Sequence, residues 1–264
     1  MRPVLALALR RGRGRLISLA IAVALFLYLV GLSYAAVDQN SVRQLYESLP
    51  PALRAFSGAA DIASAGGYLG SAFIHPVPLV IQAAIAISFA TGPARDLESG
   101  VAELMLSRPL APRAWLASHA AATLIAVLLV ALAAFAGAAI ATVTVTDLGS
   151  VSLADVGLTS FGGFLLFCAI AGIALLCATV IRTGARSVGW AAGIAAVMYA
   201  VNYLGQVWTV AEPLRPLTLF NYYDPGVIAS RGELAPTDAL VLGGVAVVTM
   251  VAAYLLIGRR EVAG

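Results

Sequence analysis

The chain has 264 residues, 61% of them hydrophobic and only 11% charged, with a formal net charge of +3. A soluble domain runs at roughly 45–50% apolar and about 25% charged. An ordinary globular core is excluded, because several stretches near the roughly 20 residues needed to cross a bilayer carry no charged side chain.

Residues 1–15, MRPVLALALRRGRGR, place Pro3 near a helix start and follow it with an apolar patch and an arginine cluster. That pattern predicts an interfacial helix under the headgroups, the plainer alternative being a basic flank that sets topology. The first predicted span, Leu16–Val37, is too long for a signal-peptide core and shows no small-residue cleavage site, so it is expected to be retained. The segment after it repeats apolar residues at Val42, Leu45, Tyr46 and Leu49 before Pro50 and Pro51. This spacing predicts a short amphipathic helix on the outer surface.

The second span, Tyr68–Thr91, contains His75 beside Pro76 and Pro78. Two readings of His75 stand: it bonds a backbone carbonyl freed by a kink, or it contacts a substrate. Spans follow at Ala114–Ala141, Val156–Ile181, Val188–Val210 and Ala239–Gly258. Cys168 and Cys177 lie nine residues apart on the fourth span. At roughly 100° per residue they are half a turn out of phase, which prevents a bridge and leaves them as small packing residues. Gly189 and Gly193 on the fifth span form a GxxxG that admits close approach of another helix. Between the last two spans, Pro213, Pro216, Pro225 and Pro236 stand among Trp208, Tyr222 and Tyr223, predicting a broken interfacial segment.

Backbone amides in hydrocarbon must be satisfied within their own segment, and strand-like alternation is absent, so each span is expected to be helical. The expected fold is all-α: one transmembrane domain over 1–264 with six transmembrane helices. All sixteen basic residues are arginine. With the N-terminus inside, twelve arginines and four acids fall on one face and four arginines and nine acids on the other. The asymmetry predicts cytoplasmic termini and makes nucleic acid an unnecessary partner.

One polar stretch interrupts this pattern, Asp96–Leu110 between the second and third spans. Leu97, Val101, Leu104 and Met105 fall at helical spacing on one stripe, with Asp96, Ser99 and Glu103 toward the other side. Pro109 ends the helix at Arg108, and Pro112 starts the third span. The stripe either packs on the bundle's own inner face or fills a groove on a soluble partner.

The residues ARDLESGVAELMLSRPLAPRAWL resemble the intracellular coupling segment of type 2 ATP-binding-cassette (ABC) exporter permeases. Members of that family show an acidic cluster, a Gly, Glu-Leu-Leu-Leu, a Ser or Gln, Arg, Pro and a further basic residue. Here Asp96, Glu98, Gly100, Glu103, Leu104, Leu106, Ser107, Arg108, Pro109 and Arg113 stand in that order. The acids are thinned to Asp96 and Glu98, which would weaken an ion pair with a partner. The resemblance extends to the basic N-terminus, the six spans, LTLFNYYDPG and the tail GRREVAG.

It implies a permease in a bacterial or archaeal plasma membrane, working as a homodimer or beside a similar permease, with two ABC ATPase subunits binding ATP and Mg. Leu97, Val101, Leu104 and Met105 would fill the ATPase groove, with Glu98, Glu103 and Arg108 on its rim. His75, Asn202, Tyr203 and Tyr222 are the candidate contacts along a substrate pathway, and cargo is expected to be apolar or amphipathic, such as a drug, antibiotic or lipid. The chain lacks lysine, hence any GxxxxGK[ST] loop, and its uncharged spans carry no ion-coupling carboxylate. No metal or cofactor is expected on the chain itself. A non-transporting docking or sensory module is the rival reading, and a lipid enzyme lacks a candidate nucleophile.

Overall fold

The computed structural model describes residues 2–36, 38–50, 64–107, 110–181 and 183–258. Among the described residues regular structure is helical throughout. Helix α1 spans Arg2–Ala36 and α2 Gln39–Ser48. The second hydrophobic stretch is two helices, α3 (Ala65–Ile74) and α4 (Pro76–Ala90). Two short helices follow, α5 (Gly92–Glu98) and α6 (Val101–Leu106). Then come α7 (Pro112–Thr144), α8 (Leu153–Val180), α9 (Gly184–Val207), α10 (Pro225–Arg231) and α11 (Pro236–Ile257).

Five helices, α1, α7, α8, α9 and α11, are long and apolar enough to cross a membrane, and the α3–α4 pair makes a sixth if the bent pair is one span. The pair bends by 45°. Its cause is local: a residue before proline is pushed out of the helical region, and His75 sits at φ −57°, ψ 139°. The expectation that His75 bonds a freed carbonyl is corrected. Its Nδ1 accepts from the Val77 N–H at 3.3 Å, capping the start of α4, so the ring satisfies an orphan donor instead of an orphan acceptor.

The separate interfacial helix expected at residues 1–15 is also corrected, since α1 runs unbroken into the first span. After Pro3 no residue in that run forbids helix, and Gly12 leaves room for the Phe89 ring against it. The N-terminal turns therefore pack on the bundle. A helix forms where the amphipathic one was expected, as α2, whose N-cap Asp38 accepts from the Asn40 and Ser41 amides at 3.4 and 3.1 Å. The bond from the Ser41 hydroxyl, followed by these amide bonds, holds the Asp38 pKa below its usual value.

Helix α8 is the central post: 67% of its most apolar stretch is buried, against 17% for α9. Around Leu166, Phe167, Ala171 and Leu175 of α8 pack Trp115, Leu116 and Leu242. A second cluster joins Leu16, Val23 and Leu27 of α1 to Ala126, Val130 and Ala134 of α7. The α1–α7 approach is close because Gly137 faces the backbone of Ala24, with no room for a Cβ. Such contacts are what brings helices together in lipid, where apolar burial gives no net drive. The expected approach at Gly189 and Gly193 does not occur among the described residues, for none of them lies within 4 Å of where a Cβ would stand at either.

Beyond α9 the backbone makes two 3-10 turns, Glu212–Leu217 and Leu219–Tyr222, before α10. Leu219, Phe220, Tyr223, Ile228 and Ala229 are buried. Tyr223 donates to the Thr159 carbonyl at 3.1 Å, and its burial pushes the phenol pKa up. The proline-broken segment thus folds back into the bundle, where α10 lies against Gly66 and Gly70 of α3.

The helices share one arginine-rich end. Near it Arg11 of α1 reaches Asp96 of α5, Gly184 of α9 meets Glu98, and Arg113 of α7 lies over the Tyr254 ring of α11 at 5.6 Å. Toward the opposite end of α1, the Ser33 and Tyr68 hydroxyls stand 2.9 Å apart. The bent pair therefore runs antiparallel along α1.

Candidate functional site

The polar segment expected as one helix is two, and the break is at Ser99 and Gly100. Gly100 adopts φ +73°, a left-handed conformation that costs other residues roughly 1–2 kcal/mol. The break re-registers α6 against α5, so the expected stripe splits. Leu97, Met105 and Leu106 pack against the bundle core, Val101 is half-buried, and Leu104 is 73% exposed. Glu103 and Ser107 are exposed as well. Arg108 and Pro109 lie outside the described residues, as do Arg182 and the tail residues 259–264.

Asp96 does not face outward as its place in the pattern implied. It is buried, accepting from Arg11 Nη1 at 2.9 Å. His119 Nε2 stands 3.2 Å from its other oxygen, without the alignment of a hydrogen bond. The His119 ring is set edge-on to Trp115 at 5.2 Å, above Gly92, where a Cβ would come within 2.9 Å of Nδ1.

Glu98 accepts from the Gly184 N–H at 2.8 Å, placing a carboxylate at the start of α9. There it satisfies an orphan amide and meets the positive end of the helix dipole. Arg95 donates to the Ser88 carbonyl. The segment is thereby tied to α1, α7 and α9 at once, while Leu104 and Glu103 project away. Arg11, His119 and Gly184 escaped the reading of the sequence. A buried carboxylate needs a cation, but with five arginines in the first fifteen residues nothing local says which one supplies it.

Of the four pathway candidates, Asn202 lines a cavity of about 350 Å³ toward the other end, shared with Gln206, Glu212, Arg215 and Asp224. The Asn202 side-chain oxygen and Arg215 Nε are buried without a hydrogen-bond partner among the described residues. His75, Tyr203 and Tyr222 are not among the residues lining that cavity. His75 packs against Phe26 at 4.9 Å, and Tyr222 donates to the Pro216 carbonyl at 2.7 Å. Among the described residues no group of three or more His, Cys, Asp or Glu side chains is placed to hold a metal.

An all-helical bundle with five or six membrane-crossing elements, gathered at one end around a pinned polar segment, is a multi-pass membrane protein of permease type. Residues 1–256 match the family described as the C-terminal domain of multidrug efflux system permease Rv1217c, and the chain belongs to that family. No curated protein matches the chain.

Proposed function

We propose that the chain is the membrane-spanning subunit of an ATP-driven exporter of the type 2 ABC class. In this reading the bent pair counts as one of six spans, both termini are cytoplasmic, and two such bundles, identical or similar, enclose the pathway. Two separate ATPase subunits bind ATP and Mg, and hydrolysis happens there.

The observation that carries this reading is the pinned segment. It joins three long helices through Arg11, His119 and Gly184 and leaves Leu104 exposed on its outer turn. A displacement of that turn is passed to α1, α7 and α9 together. An ATPase dimer that grips the turn differently in its open and closed forms would bias the bundle between two states, by no more than its difference in affinity for them.

The family description names multidrug efflux, and membrane-crossing stretches without charged side chains suit apolar or amphipathic cargo, the charged Glu212, Arg215 and Asp224 of the cavity lying on the segment beyond α9. The unpartnered polar atoms of Asn202 and Arg215 give such cargo a place to form hydrogen bonds, so Asn202 is the pathway residue we retain.

The test is purification of the tagged chain in mild detergent with identification of what accompanies it. A stoichiometric ATPase whose association is lost in Leu104→Asp is the expected result. A preparation free of ATPase that still binds another soluble protein through Leu104 would replace transport by the docking-module reading.

A further inference from the structure

Two adjoining cavities at the arginine-rich end are left unexplained by coupling. The first, about 550 Å³, is bounded by α1, α4, α5, α6 and α7 and lined by Arg11, Arg15 and Arg95, with Asp96 as its carboxylate. The second, about 850 Å³, is lined largely by apolar side chains, among them Ala6, Leu104 and Leu110. They share a wall of Val4, Leu7, Arg11, Val101 and Met105. A basic chamber and a largely apolar groove therefore adjoin along the same five residues.

The charges do not balance. Asp96 is committed to Arg11 and His119, and among the described residues no carboxylate pairs with Arg15 or Arg95. Arg95 is held below the usual arginine pKa, first by desolvation and then by Arg15, with Asp96 opposing. Arg15 and Arg95 are both exposed and stay charged, and with no carboxylate among the described residues paired with them an anion is favoured there. Phosphate matches their fork of donors. The groove, walled by flexible aliphatic residues and open beside a membrane-crossing bundle, suits acyl chains, and basic pockets between membrane helices hold anionic headgroups.

We propose that these cavities form one site for an anionic phospholipid of the surrounding bilayer, its phosphate against Arg15 and Arg95 and its chains along Val4, Leu7 and Met105. Because the same wall carries α5 and α6, the lipid braces the segment that Asp96 anchors. Arg15 and Arg95 are not among the residues given to the soluble partner, although Leu104 lines both the groove and the partner-facing turn.

The test is native mass spectrometry of the full-length chain in detergent, titrated separately with dioleoylphosphatidylglycerol, dioleoylphosphatidylcholine and inorganic phosphate. Phosphatidylglycerol is expected to be retained about tenfold more tightly than phosphatidylcholine. Arg15→Gln is expected to weaken it about tenfold, the size of one charge-assisted hydrogen bond. Arg15→Lys should restore much of the binding, and Arg13→Gln, outside the cavity, should leave it unchanged. Leu7→Ser should loosen the lipid without creating phosphate binding.

Arg15 is exposed and no side-chain hydrogen bond of it is seen among the described residues, so Arg15→Gln should melt like the parent in lipid-free detergent. A lower melting temperature would place Arg15 in the fold and overturn the proposal. Equal retention of the two lipids, indifference to Arg15→Gln, or displacement of the lipid by inorganic phosphate at equal concentration would also overturn it.

Discussion

The ion pair between Arg11 and Asp96 offers the sharpest test of how the polar segment is held. Asp96→Asn keeps the side-chain volume and removes the charge; Arg11→Gln removes the other partner. The Asp96 side chain is 10% exposed and that of Arg11 50%, so neither limiting case applies. A fully exposed pair is worth about 0.2–1 kcal/mol, and a hydrogen bond to a charged group about 1.5–3 kcal/mol. With one end buried and the other half in water, the coupling should be roughly 1–2 kcal/mol after allowance for screening.

The assay is a double-mutant cycle on thermal unfolding in detergent. Each kcal/mol moves the midpoint by roughly 2–4 °C for a chain of this size. Arg11→Gln is expected to cost more than Asp96→Asn, because it leaves the buried Asp96 carboxylate without its cation, whereas Asp96→Asn leaves Arg11 half in water. Added salt should shrink the coupling only in part, since the Asp96 end is shielded from solvent ions. A coupling below about 0.3 kcal/mol, the scatter of independent sites, would refute the view that this pair fastens the segment to α1.

Leu104→Asp should change the melting temperature little, since surface substitutions usually stay within about 0.5 kcal/mol, while Met105→Asp, against the core, should lower it clearly; equal effects would contradict the split of the apolar stripe. Gly100→Ala is expected to cost about 1–2 kcal/mol from its left-handed backbone alone, as none of the described residues lies within 4 Å of its Cβ position. Gly232→Ala, at φ +67° with Asp155 Oδ1 only 2.6 Å from the new Cβ, should cost more, and the two melting curves decide it. Gly137→Ala should destabilise by about 1–3 kcal/mol through overpacking against Ala24, whereas Gly193→Ala should cost the single bundle nothing. Comparable losses at both would mean that α9 has a close neighbour within the chain.

Much of the architecture was legible in the sequence because hydropathy is a property of the solvent each segment can occupy. Long uncharged stretches and prolines determined the all-helical membrane character, the apolar segments and the broken piece after α9 by themselves. The proline rule likewise located the break at His75, though which backbone group the ring would satisfy depended on the geometry of the bend.

The details of the site were decided elsewhere. Helical periodicity assumes an unbroken axis, and one left-handed residue at Gly100 separated Leu97 from Leu104 and sent one inward and the other out. Charge patterning counts carboxylates without saying what they face, so Asp96 read as a surface acid until α1 and α7 brought Arg11 and His119 to it. Small residues permit close approach without requiring it, which is why Gly137 is filled by a neighbouring backbone and Gly193 is not. Solvent preference is written locally along the chain; partnership is fixed only when distant helices meet.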